Sequence, residues 1–141
     1  MTVTLITGAS SGIGAALARR YAQAEATLVL VARDAARLEA VAAECRALGA
    51  AVETERLDVR DRAATRAVIA AVDARHPLDR VIVNAAINGG HPTGDLETEE
   101  VAFETIDINL VGAMNVALPA VTLMSARGRG QIALISSLAA Y

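Results

Sequence analysis

Short apolar runs and helical stripes take turns along the whole of this chain, and that alternation restricts its fold more than any other feature. Val3–Ile6, Thr27–Ala32, Val52–Leu57, Arg80–Asn84 and Gln131–Ser136 each read as strands. Between the first two, residues 13–24 place Ile13, Ala16, Leu17, Tyr21 and Ala24 on one helical stripe. Asp34 is positioned to cap a second helix, with Leu38, Val41, Cys45 and Leu48 on its inner face and Gly49 as its stop. Asp61 caps a third, facing inward with Thr65, Val68, Ile69 and Val72 and ending before Pro77. After a glycine-rich loop at Asn88–Gly90, residues 98–127 read as one helical stretch. Pro119 within it lacks a backbone donor, which predicts a bend there.

Strand–helix alternation of this kind predicts an α/β fold, a parallel sheet covered on both faces. Right-handed crossovers leave few topologies, and a Rossmann-like three-layer α/β/α arrangement with strand order 3-2-1-4-5 is expected. The third strand, carrying Glu53, Glu55 and Arg56, then lies at an edge, where charge discourages pairing between sheets. A length of 141 residues suits one domain spanning 1–141. Its core must be built from small and branched aliphatics, because 54% of residues are hydrophobic and only 2% aromatic.

Several function classes lose ground on composition. The net charge of −3 shows no clustered sign and no basic stripe, which argues against a nucleic-acid partner. The lone Cys45 cannot form an internal disulfide, reads as a small core residue, and joins no Cys/His group of metal-ligand spacing; an intracellular, cytoplasmic setting is expected. The N-terminus lacks the basic segment and long apolar run of a signal peptide. Residues 108–126 are free of charge, but Asn109, Asn115 and Pro119 interrupt them, so a buried helix is expected rather than a membrane span. His76 stands at a helix end, where imidazolium meets the dipole, and His91 in a loop bordering the cleft; neither has a catalytic partner by spacing.

The segment Thr7–Gly14, TGASSGIG, joins the first strand to the first helix. Gly8 permits a tight exit from the strand, Gly12 lets backbone approach a pyrophosphate, and Gly14 lets helix and sheet pack closely. The helix start then offers unpaired N–H groups and a positive dipole end to phosphates. An ordinary glycine turn is the competing reading, and its placement between an apolar strand and an amphipathic helix argues against it.

The spacing G-x-x-x-G-x-G resembles that of the short-chain dehydrogenase/reductase family. The resemblance continues through Leu57-Asp58-Val59, Val83-Asn84-Ala85-Ala86, Asn109 and Ile135-Ser136-Ser137, and so covers nearly the whole chain. It implies a cofactor-binding set of Gly8, Ser10, Ser11, Gly12, Ile13 and Gly14. Asp58 is implied to accept from the adenine amino group, with the Val59 backbone holding the ring; a helix-capping aspartate is the alternative, though Asp61 is better placed. Asn84, Ala85 and Ala86 are implied to line the cleft, Ala86 standing where the family usually has glycine.

The nucleotide itself can be read from the end of the second strand. Ala32 stands where an acidic residue would bind the ribose of NAD, and Arg33 follows, able to pair with a 2′-phosphate. Against this, Asp34 could neutralise Arg33, and Ser11 occupies a loop position where NADP-preferring members often carry a basic residue. NADP(H) is expected as the preferred cofactor, with NAD(H) as the alternative.

Ser137 is implied to hold the substrate oxygen during hydride transfer, Ser136 to support the turn, and Asn109 to anchor a water in the proton relay. An asparagine bonded to backbone would look the same in sequence. The family's general acid/base is a tyrosine in Tyr-x-x-x-Lys about a dozen positions beyond the serine. Tyr141 is too close to match, and all 13 basic residues are arginine, so that pair is absent here. Two explanations follow: a piece of a longer enzyme, whose fifth strand would be an unprotected edge, or a short protein that binds nucleotide without catalysis. The expected activity is NADP(H)-dependent interconversion of a ketone and a secondary alcohol, inactive in this piece alone, by a homodimer or homotetramer when full length. A non-catalytic binding module or sensor is the alternative, and an epimerase or dehydratase a third reading.

Overall fold

The structure is a computed structural model that describes residues 2–88 and 97–137; the expectations placed on Gly89, Gly90, His91 and Tyr141 lie outside the described residues. Its elements in order are β1 (Thr2–Thr7), α1 (Gly12–Tyr21), β2 (Ala26–Ala32), α2 (Ala35–Ala47), β3 (Ala51–Arg56), α3 (Arg62–Arg75), β4 (Arg80–Val83), α4 (Glu99–Ile106), a π-helical segment (Asp107–Gly112), α5 (Ala113–Ala126) and β5 (Gln131–Leu134).

The strands pair in parallel in the order β3-β2-β1-β4-β5, as the alternation predicts. Successive residues of β2 pack into opposite cores, the period-two signature of a strand covered on both faces. Val29 and Val31 join Val3, Leu5, Val81 and Val83 beneath α3 and α5. Leu28 and Leu30 join Ile6, Ile82 and the inner residues of α1 and α2. Cys45 is fully buried in that second core and unpaired.

Two inner faces differ from the periodicity reading. In α1 the buried residues are Gly14, Ala15 and Ala18, with Ala22 just beyond, whereas Ile13 is 61% exposed and Ala16 and Ala24 face solvent. Hydrophobic bulk does not select the inward face here; close approach of helix to sheet does, and only side chains of one carbon or none allow it. In α2, Leu38, Val41 and Cys45 are buried as expected, but Leu48 caps the helix and is exposed.

The long helical stretch also corrects two expectations. Its departure from α geometry falls at Asp107–Gly112, upstream of Pro119, which sits inside α5. The expectation of a buried helix holds for one stripe only. Ile108, Val116, Ala120 and Met124 face the core, while Phe103, Ile106, Leu110, Val111, Met114, Leu118 and Val121 are exposed. A helix lying on a sheet covers only the face turned toward it. By length and composition alone, Glu99–Ala126 would suffice to cross a membrane.

The charged strand β3 is an edge strand, and its carboxylates are paired. Arg75 donates to Glu53 at 2.9 Å and to Glu55 at 3.4 Å, and a His76 ring nitrogen lies 2.9 Å from Glu53. The Arg75 guanidinium, and to a lesser degree His76, hold the Glu53 carboxyl below the usual carboxylate range. A carboxyl depressed on folding contributes stability at neutral pH that fades as pH falls through its folded value. Glu53→Gln is therefore expected to flatten the loss of stability between roughly pH 5 and pH 3. Urea midpoints across that range read the effect, and an unchanged slope would contradict it.

Candidate functional site

The carboxyl ends of β1, β2, β3 and β4 form one rim, and the residues singled out by sequence gather along it. At the exit of β1, Thr7 is buried and organises the turn. Its Oγ1 accepts from the backbone N–H groups of Asn84 (3.0 Å) and Ala85 (3.1 Å) and donates to the Ile82 carbonyl (3.4 Å). Asn84 Nδ2 in turn donates to the carbonyls of Thr7 (3.0 Å) and Gly8 (3.4 Å). The β1 and β4 exits are thereby stitched together, and Asn84 acts first as a brace for the glycine loop. Ala86 does not sit at positive φ, which explains how alanine replaces the usual glycine.

The loop lies hard against that brace. A Cβ on Gly14 would stand 2.2 Å from the Gly8 carbonyl oxygen and 2.6 Å from Asn84 Nδ2. Gly12 is different in kind: its φ is +53°, and nothing lies within 4 Å of where its Cβ would be. Space is kept open on that side.

The start of α1 is open as well. Asp34, Asp61 and Thr98 accept hydrogen bonds from Arg37, Ala64 and Val101 and so cap α2, α3 and α4. Ser11, at the corresponding position of α1, makes no side-chain capping bond. The first-turn N–H groups of α1 are thus left for another acceptor, beside exposed Ser11, Gly12 and Ile13.

Farther along the rim, Arg33 follows β2 and is exposed. Asp34 caps α2 and pairs with Arg37 at 3.4 Å, and among the described residues Arg33 makes no ion pair. At the neighbouring exit, the Leu57 N–H donates to the Ala32 carbonyl, which sets Asp58 beside the end of β2. Asp58 is held by Arg60, whose guanidinium donates to both carboxylate oxygens. That pairing is the main reason its pKa lies below the usual aspartate value, with the charge of Arg33 contributing last. Val59 is buried, and its Cγ2 lies where a side chain on Gly112 would begin.

Asn109 lies in the π-helical segment, a kind of helix defect common at functional sites. Its Oδ1 accepts from the Ile87 N–H and its Nδ2 donates to the Ile87 carbonyl, both at 2.8 Å. Half of its hydrogen-bonding capacity thus ties the segment after β4 to the long helix. Ser136 and Ser137 follow β5 and are exposed. The Ile135 N–H still donates to Val83, so the strand ladder runs up to the serine pair.

Three residues of this rim were not singled out by sequence reasoning: Thr7, Arg60 and Asn115. Asn115 is buried, and its Nδ2 donates to the Val59 carbonyl at 2.9 Å, pinning the turn that carries Asp58. Its signal was present as a polar interruption of an apolar helix. Thr7 left none, since its partners are backbone groups of β4 and the segment after it, while Arg60 stands two positions from Asp58, a spacing shared by many surface pairs of no special role.

Comparison with known proteins agrees with this geometry. A sequence model of the family described as short chain dehydrogenase matches residues 2–141. A 3-dehydrosphinganine reductase of Arabidopsis thaliana is 42% identical, over 95% of this chain and 41% of its own length. A sepiapterin reductase of Chlorobaculum tepidum is 35% identical, over 98% of this chain and 59% of its own. Among solved structures, a metagenomic short-chain oxidoreductase in complex with NADP superposes with a TM-score of 0.86 at 34% identity, over 97% of this chain and 62% of that one. The chain thus spans roughly half the length of the relatives it matches. Sheet order, glycine loop and sequence match converge on one assignment: this chain belongs to the short-chain dehydrogenase family.

Proposed function

We propose that these residues form the nucleotide-binding part of an NADP(H)-dependent oxidoreductase that interconverts a ketone and a secondary alcohol. The observation that carries the reading is the uncapped start of α1, opening beneath a loop whose glycines leave room on the outer side and none on the inner. A diphosphate fits that position because it accepts the N–H groups that Ser11 leaves unpaired. Gly8, Ser10, Ser11, Gly12, Ile13 and Gly14 hold the diphosphate, with Asn84, Ala85 and Ala86 beside it. Asp58 and Val59 hold the adenine ring, and Arg33 the 2′-phosphate. The NADP complex and the NAD+-bound xylitol dehydrogenase among the structural neighbours support a nicotinamide dinucleotide.

When bound, the cofactor supplies or accepts the hydride. Ser137 donates a hydrogen bond to the substrate oxygen, where charge develops in the transition state. Asn109 anchors a relay water through the N–H and lone pair that Ile87 does not use. No lysine occurs among the 141 residues, so the tyrosine–lysine acid/base pair is missing and this piece binds nucleotide without turnover. A nucleotide-binding module or sensor is the alternative reading, since one fold hosts several functions. Carbonyl-dependent NADPH oxidation by a polypeptide extended beyond Tyr141 separates the two, since only the first gains activity.

The exposed apolar stripe of the long helix and the groove of about 500 Å3 between α3 and α5, lined by Val111, Met114 and Leu118, support self-association as a homodimer or homotetramer. A net charge of −3 with no basic stripe fits a small-molecule substrate better than nucleic acid, and a buried free cysteine fits a reducing, cytoplasmic setting.

Preference for NADP(H) rests on Arg33. Arg33→Ser is expected to weaken NADPH binding by roughly ten- to a hundredfold, the worth of a charge-assisted bidentate contact, and to leave NADH within about twofold. Fluorescence titration with both nucleotides reads the difference. Equal losses for the two would remove Arg33 from the 2′-phosphate site.

A further inference from the structure

Arg60 does more to Asp58 than neutralise it. Its backbone N–H donates to Asp58 Oδ1 at 3.0 Å, its Nε lies 3.1 Å from Oδ1 and 3.0 Å from Oδ2, and its Nη2 donates to Oδ2 at 2.6 Å. The third guanidinium nitrogen reaches Glu104 of α4 at 3.3 Å. From the other side, Asn115 donates to the carbonyls of Val59 (2.9 Å) and Arg60 (3.4 Å), so the backbone under this clamp is fixed to α5. A carboxylate has about four acceptor directions, and Arg60 occupies roughly three of them. One is left, on a carboxylate that Arg60 meets with its backbone N–H, Nε and Nη2.

We propose that Arg60 is a specificity-determining positioning residue: braced by Glu104, it leaves Asp58 a single fixed acceptor direction suited to the exocyclic amino group of a 6-aminopurine. This rests on the reading that Asp58 faces the base of a bound nucleotide. A mobile aspartate would rotate to accept from the ring N1–H of a 6-oxopurine as readily as from the amino group of adenine. An aspartate that already accepts from three Arg60 donors must give up part of that grip to follow the shift; unless it does, the oxo group faces an acceptor with no proton between them. Sites built around one hydrogen bond reject ligands that cannot supply it.

The test compares NADPH with its hypoxanthine analogue, in which the 6-amino group is replaced by oxygen, by fluorescence titration alongside thermal melts. The unaltered chain is expected to prefer NADPH by about tenfold or more. Arg60→Met should bring that preference to within about twofold, the analogue gaining affinity relative to NADPH as the carboxylate becomes able to turn to its N1–H. Arg60→Lys, which keeps the charge and loses the fork, should do the same and stands in if the methionine variant does not fold; Glu104→Gln should fall between. Equal weakening of both ligands in the Arg60 variants would overturn the proposal and leave Arg60 a structural residue. No preference in the unaltered chain would overturn it too. Failure of the unaltered chain to bind either dinucleotide would remove the nucleotide reading and this proposal with it.

Discussion

Alanine at position 14 is expected to lower NADPH affinity about a hundredfold and to destabilise the fold by roughly 1–3 kcal/mol. The added methyl group would begin 2.2 Å from the Gly8 carbonyl oxygen, well inside contact distance. That oxygen cannot retreat: Asn84 donates to it, and Gly8 itself lies against the Ala85 backbone. The remaining escape is for α1 to lift from the sheet, which opens the core around Ala15 and Ala18. A lift near 1 Å also moves the first-turn N–H groups from their acceptor, and displacements of that size commonly cost about a hundredfold. Gly12→Ala separates the two effects. With nothing within 4 Å and a φ of +53°, it should cost about 1–2 kcal/mol of backbone strain without repacking, while its methyl group obstructs the phosphate. Urea unfolding and NADPH titration on both variants check the pair. A Gly14→Ala chain of unchanged stability and affinity would mean that helix and strand do not meet this closely.

The same contrast shows what the sequence could convey. Gly8 and Gly12 were legible because a positive φ is a local demand, and Gly14 because the backbone it approaches most closely is that of Gly8, only six positions back. So were the Asp34 and Asp61 caps, each of which accepts from the N–H three residues on. The inward face of α1 was not, because Ile13, Leu17 and Tyr21 offered a larger apolar stripe than Ala15 and Ala18. What decides between them is the helix–sheet distance, a tertiary quantity. Pro119 likewise drew attention as a breaker, yet the helix departs from α geometry near Asn109, where a side chain grips Ile87 twenty-two positions away. Asn109 was named for a role taken from resemblance; its grip on the loop after β4 is a fact of packing that no spacing rule exposes. Asn115 shows in sequence only as a polar interruption of an apolar helix, because the carbonyls it holds are brought to it by the fold; Arg60 shows only as a near neighbour of Asp58, its reach to Glu104 being likewise tertiary.

Arg127 is a harder case still, a single arginine just past the end of α5 that looks in sequence like any surface cation. Its Nη1 donates to Asp73 at 2.8 Å and its Nη2 to the Leu78 carbonyl, while the other Asp73 oxygen accepts from the Leu78 N–H at 2.9 Å. One ion pair thereby ties α3, the turn into β4 and the end of α5. The Asp73 side chain is only 11% exposed and that of Arg127 22%, unlike the half-exposed Arg19–Glu44 and Arg46–Glu39 pairs. Exposed pairs of that sort are worth about 1 kcal/mol or less, whereas breaking a buried pair from one side costs about 3–5 kcal/mol. Arg127→Met should therefore destabilise by about 2–4 kcal/mol, toward the lower end because Arg127 Nε is itself buried without an acceptor, an orphan the substitution removes. Asp73→Asn with Arg127→Met should recover part of the loss by removing the stranded carboxylate. Denaturant unfolding of the three variants reads this directly, and a single-variant loss below about 1 kcal/mol would make the clamp no better than a surface pair. The consequence reaches the rim, because the turn after α5 delivers β5 and, at its end, Ser137. Loosening Arg127 is expected to blur the placement of that serine before it disturbs the glycine loop, which α1, β1 and Asn84 hold independently.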